Sequence, residues 1–176
     1  MDSPARRDMV TDMAIGLIHE NGLGAVTVRA VAAKIGIAAP TLLGWYGSAD
    51  RVRFVVGQTY CHRWVQWVQR RAFRDGPLAL LPLTPDEVGW TRVWEAILEL
   101  GRLDDDVASC IDDAFAFECH LVGQAVADED VDEVVALIEG LRQAVTRKLS
   151  PMDAAYAREV LGGRLARAHG SDLTPN

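Results

Sequence analysis

Apolar residues recur along this chain at the three- and four-residue spacing of amphipathic helices, and no stretch shows the alternation of a half-buried strand. A first helix is expected over 6–20, with Val10, Met13, Ala14, Leu17 and Ile18 on one face and a stop near Asn21 and Gly22. Thr27 then suits an N-cap, and Val28, Val31, Ala32 and Ile35 share a face behind it. Gly36 supplies the positive φ that ends this helix, and Ile37 fills the corner. Pro40 fits the first turn of a second short helix, anchored by Leu42, Leu43, Trp45 and Tyr46. Gly47 closes it, and Ser48 opens a long helix to about Arg74 with Val52, Val55, Val56, Tyr60, Trp64, Trp67 and Val68 inward.

Residues 75–85 hold three prolines and a glycine and must form a loop, though an apolar one that packs down. Helical spacing resumes over 86–101, with Trp90, Val93, Trp94, Ile97 and Leu98 inward. Asp104, Asp105 and Asp106 favour a helix start and open a helix to about Val126. Further helices are expected over 130–149 and from Pro151 to about Ala168. The expected fold is all-α: a three-helix head over 1–47, a helical bundle over 48–170 and a disordered tail over 171–176, about eight to nine helices in all.

A helix, a tight glycine-containing turn and a second helix make the geometry of a helix-turn-helix, whose second helix enters the DNA major groove. The residues that build it are Gly22, Thr27-Val28-Arg29, Val31-Ala32, Gly36-Ile37, Thr41-Leu42, Trp45-Tyr46 and Ser48. In these residues, over roughly 6–60, the chain resembles the TetR family of ligand-controlled transcriptional regulators. The resemblance implies a homodimer that places two reading heads on a pseudo-palindromic double-stranded operator. It also implies a variable ligand-binding and dimerisation domain, most often in a repressor released by a small effector. The DNA-contacting positions expected are Thr27, Arg29, Lys34, Ala38, Pro40, Thr41, Trp45, Tyr46 and Arg51, with Arg6 and Arg7 as further backbone contacts.

Two positions depart from the family pattern. A tyrosine that usually touches phosphate aligns with Leu43, and a usual lysine aligns with Ala49. No Arg, Lys, Asn or Gln lies between Ala38 and Tyr46, so bidentate base reading has no donor there. Gly44 inside so short a helix costs about 1 kcal/mol relative to alanine. A second reading therefore stands beside the first: a module of the same fold that binds a ligand or protein with DNA binding weakened or lost.

Composition changes this picture little. The chain has 176 residues, 49% of them apolar, enough for a substantial core. No uninterrupted apolar run is long enough to cross a membrane, and MDSPARRDMV lacks the apolar core of a secretory signal. Three widely spaced cysteines without a CxxC suit reduced thiols in the cytoplasm. Charge is uneven: residues 1–60 carry six basic and five acidic side chains, whereas 75–176 carry eight basic against twenty acidic. An acidic whole does not exclude DNA binding, but the proposed head has a thin positive footprint.

In the bundle, Glu118 falls in the middle of a stripe formed by Val107, Cys110, Ile111, Ala114, Phe115, Leu121, Val122 and Ala125. A carboxylate there must be paired, protonated or turned to a polar ligand. One reading is a buried ion pair with Arg142. The other is a pocket for a small apolar or aromatic effector, walled by Trp64, Trp67, Trp90, Trp94 and Phe115 with Glu118 and Arg142 as its polar groups. Aromatic stripes at helical spacing also serve as plain core. The dipeptides Cys61-His62 and Cys119-His120 point their two side chains about 100° apart, so neither alone makes a metal site. Neither GxSxG, GxxxxGK nor HExxH occurs, and no enzymatic activity or cofactor is expected. The last helix carries Ala155, Glu159, Gly162, Gly163 and Ala166, a set suited to close helix packing. The resemblance assigns helices 130–149 and 152–168 to a two-fold interface.

Overall fold

A computed structural model describes residues 3–170; the expected tail 171–176 lies outside the described residues. Eight α-helices are present among them: α1 (Pro4–Asn21), α2 (Val28–Ile35), α3 (Ala39–Tyr46), α4 (Ala49–Asp75), α5 (Pro85–Gly101), α6 (Asp105–Gly123), α7 (Val131–Thr146) and α8 (Ala154–Gly170). Short 3-10 turns occupy Leu23–Ala25, Gly76–Leu80 and Asp128–Asp130, and there are no strands among the described residues. No single helix is long and apolar enough to cross a membrane.

The chain divides into two compact units, Met1–Trp64 with Arg92–Asp112 and Val65–Thr91 with Asp113–Asn176. The first has a core of Val10, Ala14 and Leu17 from α1, Val31 from α2, Leu42 from α3 and Val55, Tyr60 and Trp64 from α4. Trp94 of α5 stacks on Trp64 with ring centroids 4.9 Å apart and planes 2° from parallel. Such a pair adds roughly 0.5–1.5 kcal/mol beyond its buried area. Gly57 lets α4 approach α6, because a Cβ there would lie 2.8 Å from Val107 Cγ1. Arg63 of α4 donates to Asp12 at 2.6 Å and Asp8 at 2.7 Å on α1. Burial alone would draw the Arg63 pKa down, but these two bonds outweigh it and leave it raised.

In the second unit, the apolar loop after α4 packs down as its composition predicts. Pro77, Ala79, Leu80 and Leu81 are buried. Its carbonyls need donors, and two arginines supply them. Arg71 donates to Ala79 O at 2.9 Å and Leu81 O at 3.0 Å, while Arg158 of α8 donates to Leu78 O at 2.6 Å. Helix α8 lays Ala157, Leu161 and Leu165 into the interior. Arg164 fixes it further through Glu133 at 2.9 Å and Asp130 at 2.7 Å.

The helix starts are where the structure corrects the pattern. The last helix begins at Ala154 rather than Pro151, because Asp153 caps it by accepting from Tyr156 N at 3.0 Å. The penultimate helix ends at Thr146, leaving Leu149 exposed. Helix α5 starts with a reciprocal box: Glu87 N donates to Thr84 Oγ1 at 3.3 Å, and Thr84 N donates to Glu87 Oε2 at 3.1 Å.

Candidate nucleic-acid interface and ligand site

The head is built by its caps. Thr27 is extended and its Oγ1 accepts from Ala30 N at 3.1 Å, opening α2. Gly36 closes α2 in the left-handed conformation, φ 83°, and Ile37 N returns to Ala32 O at 3.0 Å. The chain bends by 105° between α2 and α3, within the range of a helix-turn-helix. Leu42 and Tyr46 are buried and fasten α3 from beneath. Ser48 then opens α4, its Oγ accepting from Arg51 N at 3.0 Å.

This leaves an outer face. Arg29, Lys34, Ala38, Pro40, Thr41 and Arg51 are exposed, as is Thr27, while Trp45 is half-buried. Tyr46, in contrast, is only 9% exposed. Lys34 is held by Glu20 of α1, and the Arg51 guanidinium lies over the Phe54 ring at 4.5 Å. One contact was not visible in the residue pattern: the Arg6 guanidinium sits 4.5 Å over the Trp45 ring. An arginine from the start of α1 thereby stands beside α3, which has no cation of its own. Aromatic and cation are far apart in sequence, so no periodicity links them.

The residues expected to meet an effector are distributed over both units. Trp64 and Trp94 stack on each other inside the first, both essentially without solvent contact. In the second, Trp67 lies under the Arg71 guanidinium at 4.2 Å, Trp90 is half-buried and Phe115 is 38% exposed. Glu118 and Arg142 are each 1% exposed, and Arg142 Nη1 donates to Glu118 Oε1 at 2.8 Å and Oε2 at 3.0 Å. The ion-pair reading of these two is thus the geometry present. Burial and the neighbouring Glu118 carboxylate push the Cys119 thiol pKa up, which disfavours the reactive thiolate. Cys61 is buried beside an exposed His62, and the exposed His120 contacts Gln124 at 3.0 Å.

A cavity of about 570 Å³ opens in the first unit, and none of those seven residues lines it. Leu23 and Val26 face it from the first 3-10 turn, Val56 from α4, and Ile97, Leu100 and Leu103 from the end of α5.

By sequence, the chain matches no protein-family model and no curated protein. Its architecture does find matches. A transcriptional regulator from Rhodococcus sp. Rha1, RHA1_ro04179, superposes with a TM-score of 0.80 at 14% identity, covering 96% of this chain and 99% of that one. A chain from Rhodococcus sp. assigned to the TetR family of transcriptional regulators gives 0.74 at 15% identity, covering 93% and 98%. This is the TetR fold. The multidrug binding protein EbrR, solved with ethidium, gives 0.69 at 21% identity, covering 93% of this chain and 99% of its own.

Within the TetR fold, the small residues of α8 lie away from its core. Ala155, Glu159, Gly163 and Ala166 are exposed and Gly162 is half-buried, while the buried Ala157, Leu161 and Leu165 occupy the other side. Tyr156 adds an aromatic ring, 55% exposed, to the outer side.

Proposed function

We propose that this chain is a homodimeric, ligand-responsive transcriptional regulator, working in the cytoplasm as a repressor on a pseudo-palindromic operator. Residues 1–47 serve as the reading head, and 48–170 bind the effector and the second protomer. The carrying observation is the outer face of α3: set at 105° to α2, with Pro40 and Thr41 exposed and Arg6 over Trp45. Arg6, Arg29 and Arg51 would meet phosphates and fix the head's register, while Thr41 and the rim of Trp45 meet the groove. The outer strip of α8 supports pairing of two copies, because helices approach closely where residues are small. EbrR's complex with ethidium supports a small apolar or aromatic effector. Such an effector acts by population shift, favouring the arrangement of heads that no longer matches successive grooves.

One observation favours the alternative, a ligand- or protein-binding module with weakened DNA binding. Leu43 and Ala49 occupy positions where phosphate contacts are expected, and the stretch from Ala38 to Tyr46 has no base-reading donor. A mobility-shift titration with DNA flanking the protein's own gene separates the two. Retardation at low salt that weakens as salt rises supports the regulator; no retardation at low salt supports the module.

A further inference from the structure

The first unit's cavity is assigned no role by the reading head, and its walls are informative. It lies between the Leu23–Ala25 turn, the early turns of α4 and the end of α5. Its volume, about 570 Å³, falls inside the range that holds a drug-sized ligand. Only Arg53 and Glu99 bring charge to it, and both are already answered. Arg53 pairs with Asp50 and lies 3.9 Å from Asp104, and Glu99 lies 3.5 Å from Arg102. What remains to be satisfied is apolar. Leu103 is 79% exposed at the cavity edge, and Gly24 is exposed beside it.

A second cavity of about 230 Å³ shares Val26, Arg53 and Val56 with the first. It continues along Thr27, Val28 and Val31, under the start of α2. The two therefore form one apolar path, running from the end of α5 to the N-cap of the helix-turn-helix. We propose that this path binds a neutral, elongated apolar small molecule, and that the ligand acts on the head directly by bracing Val26 and Thr27. A ligand at Glu118 would first have to open the buried Glu118–Arg142 pair, whereas this path needs no ion pair broken. The binding site stands independently of the regulator reading; only its consequence for DNA rests on that reading.

The test is a fluorescence titration of the full chain with N-phenyl-1-naphthylamine, a neutral apolar dye that brightens out of water. Two variants block the path at exposed positions. A side chain built on Gly24 meets nothing within 4 Å, so Gly24→Phe fills the cavity without straining the backbone. Leu103→Asp places a charge at its edge. Phe73→Ser removes a fully exposed ring elsewhere and reports dye held by surface aromatics alone. The expected result is saturable binding to the wild type, weakened about tenfold or more in G24F and L103D and unchanged in F73S. Anionic anilinonaphthalene sulfonate and cationic ethidium should bind more weakly than the neutral dye. Wild-type affinity retained in G24F and L103D, no saturable binding to the wild type, or ethidium binding more tightly than the neutral dye would each overturn the proposal. None of these readings uses DNA, so a failure here is distinct from a failure to bind an operator. With operator DNA present, the neutral dye should shift wild-type affinity and leave that of G24F unchanged; an equal shift in both would overturn the direct action on the head.

Discussion

At the scale of single residues, the account rests on two charges that occupy unusual places. Arg6 over Trp45 brings a cation to a recognition helix that lacks one. Arg6→Ala should therefore weaken DNA binding across all sequences and reduce the log–log salt slope by about 0.9, the signature of one lost phosphate contact. An unchanged slope, measured by anisotropy over several salt concentrations, would show that Arg6 serves only to pack Trp45. The second charge is the buried Glu118–Arg142 pair. Arg142→Met alone should cost about 3–5 kcal/mol in urea unfolding, by stranding the carboxylate. Glu118→Leu with Arg142→Met should recover most of that loss, because an apolar pair of similar size no longer needs solvation. Both members of this pair could be read from the apolar stripes they interrupt. The Arg6–Trp45 contact could not, because α1 and α3 are brought together by tertiary packing and not by any spacing along the chain.

At the scale of elements, turn and cap chemistry decide where each helix stands. Gly36 at φ 83° is legible in advance, since only a residue without a Cβ takes that conformation freely. Gly36→Ala should destabilise by about 1–2 kcal/mol, read as a lower thermal midpoint. The start of α8 was less legible: Pro151 is a good first-turn residue, but Asp153, two positions on, is a better cap. Thr84 and Glu87 carried a capping-box spacing in plain view, masked by the proline-rich stretch before them. At the far end of α4, Asp75 is bonded to Arg74 and lies 3.3 Å from Arg158, and the Arg74 hydrogen bond leads in holding its pKa down. A carboxyl depressed in the folded state stabilises fully above its unfolded pKa of about 3.9 and loses that contribution as pH falls through the folded value. The stability gap between wild type and Asp75→Asn should be present at neutral pH and close only in the acid range below about 4. A gap independent of pH would remove the ionic explanation.

At the scale of the whole molecule, the head was far more legible than the rest. Its caps and glycine turn leave local marks at Thr27, Gly36 and Ser48, whereas the bundle's helices announce an apolar face without saying what covers it. The outer strip of α8 is the case in point: its small residues are a legible pattern, but their partner is another molecule. Gly163→Glu should raise helix propensity by up to about 1 kcal/mol and yet convert the dimer into a monomer in sedimentation. A variant that stays dimeric would move the interface off α8. The central claim, that this fold carries a working reading head, is tested most directly by titrating the protein into labelled DNA flanking its own gene, at low and then moderate salt. The account predicts specific retardation at low salt, displaced only by excess unlabelled copies of the same site and weakening steeply as salt rises. Binding that random DNA of equal length displaces just as well, or none at all at low salt, would contradict it.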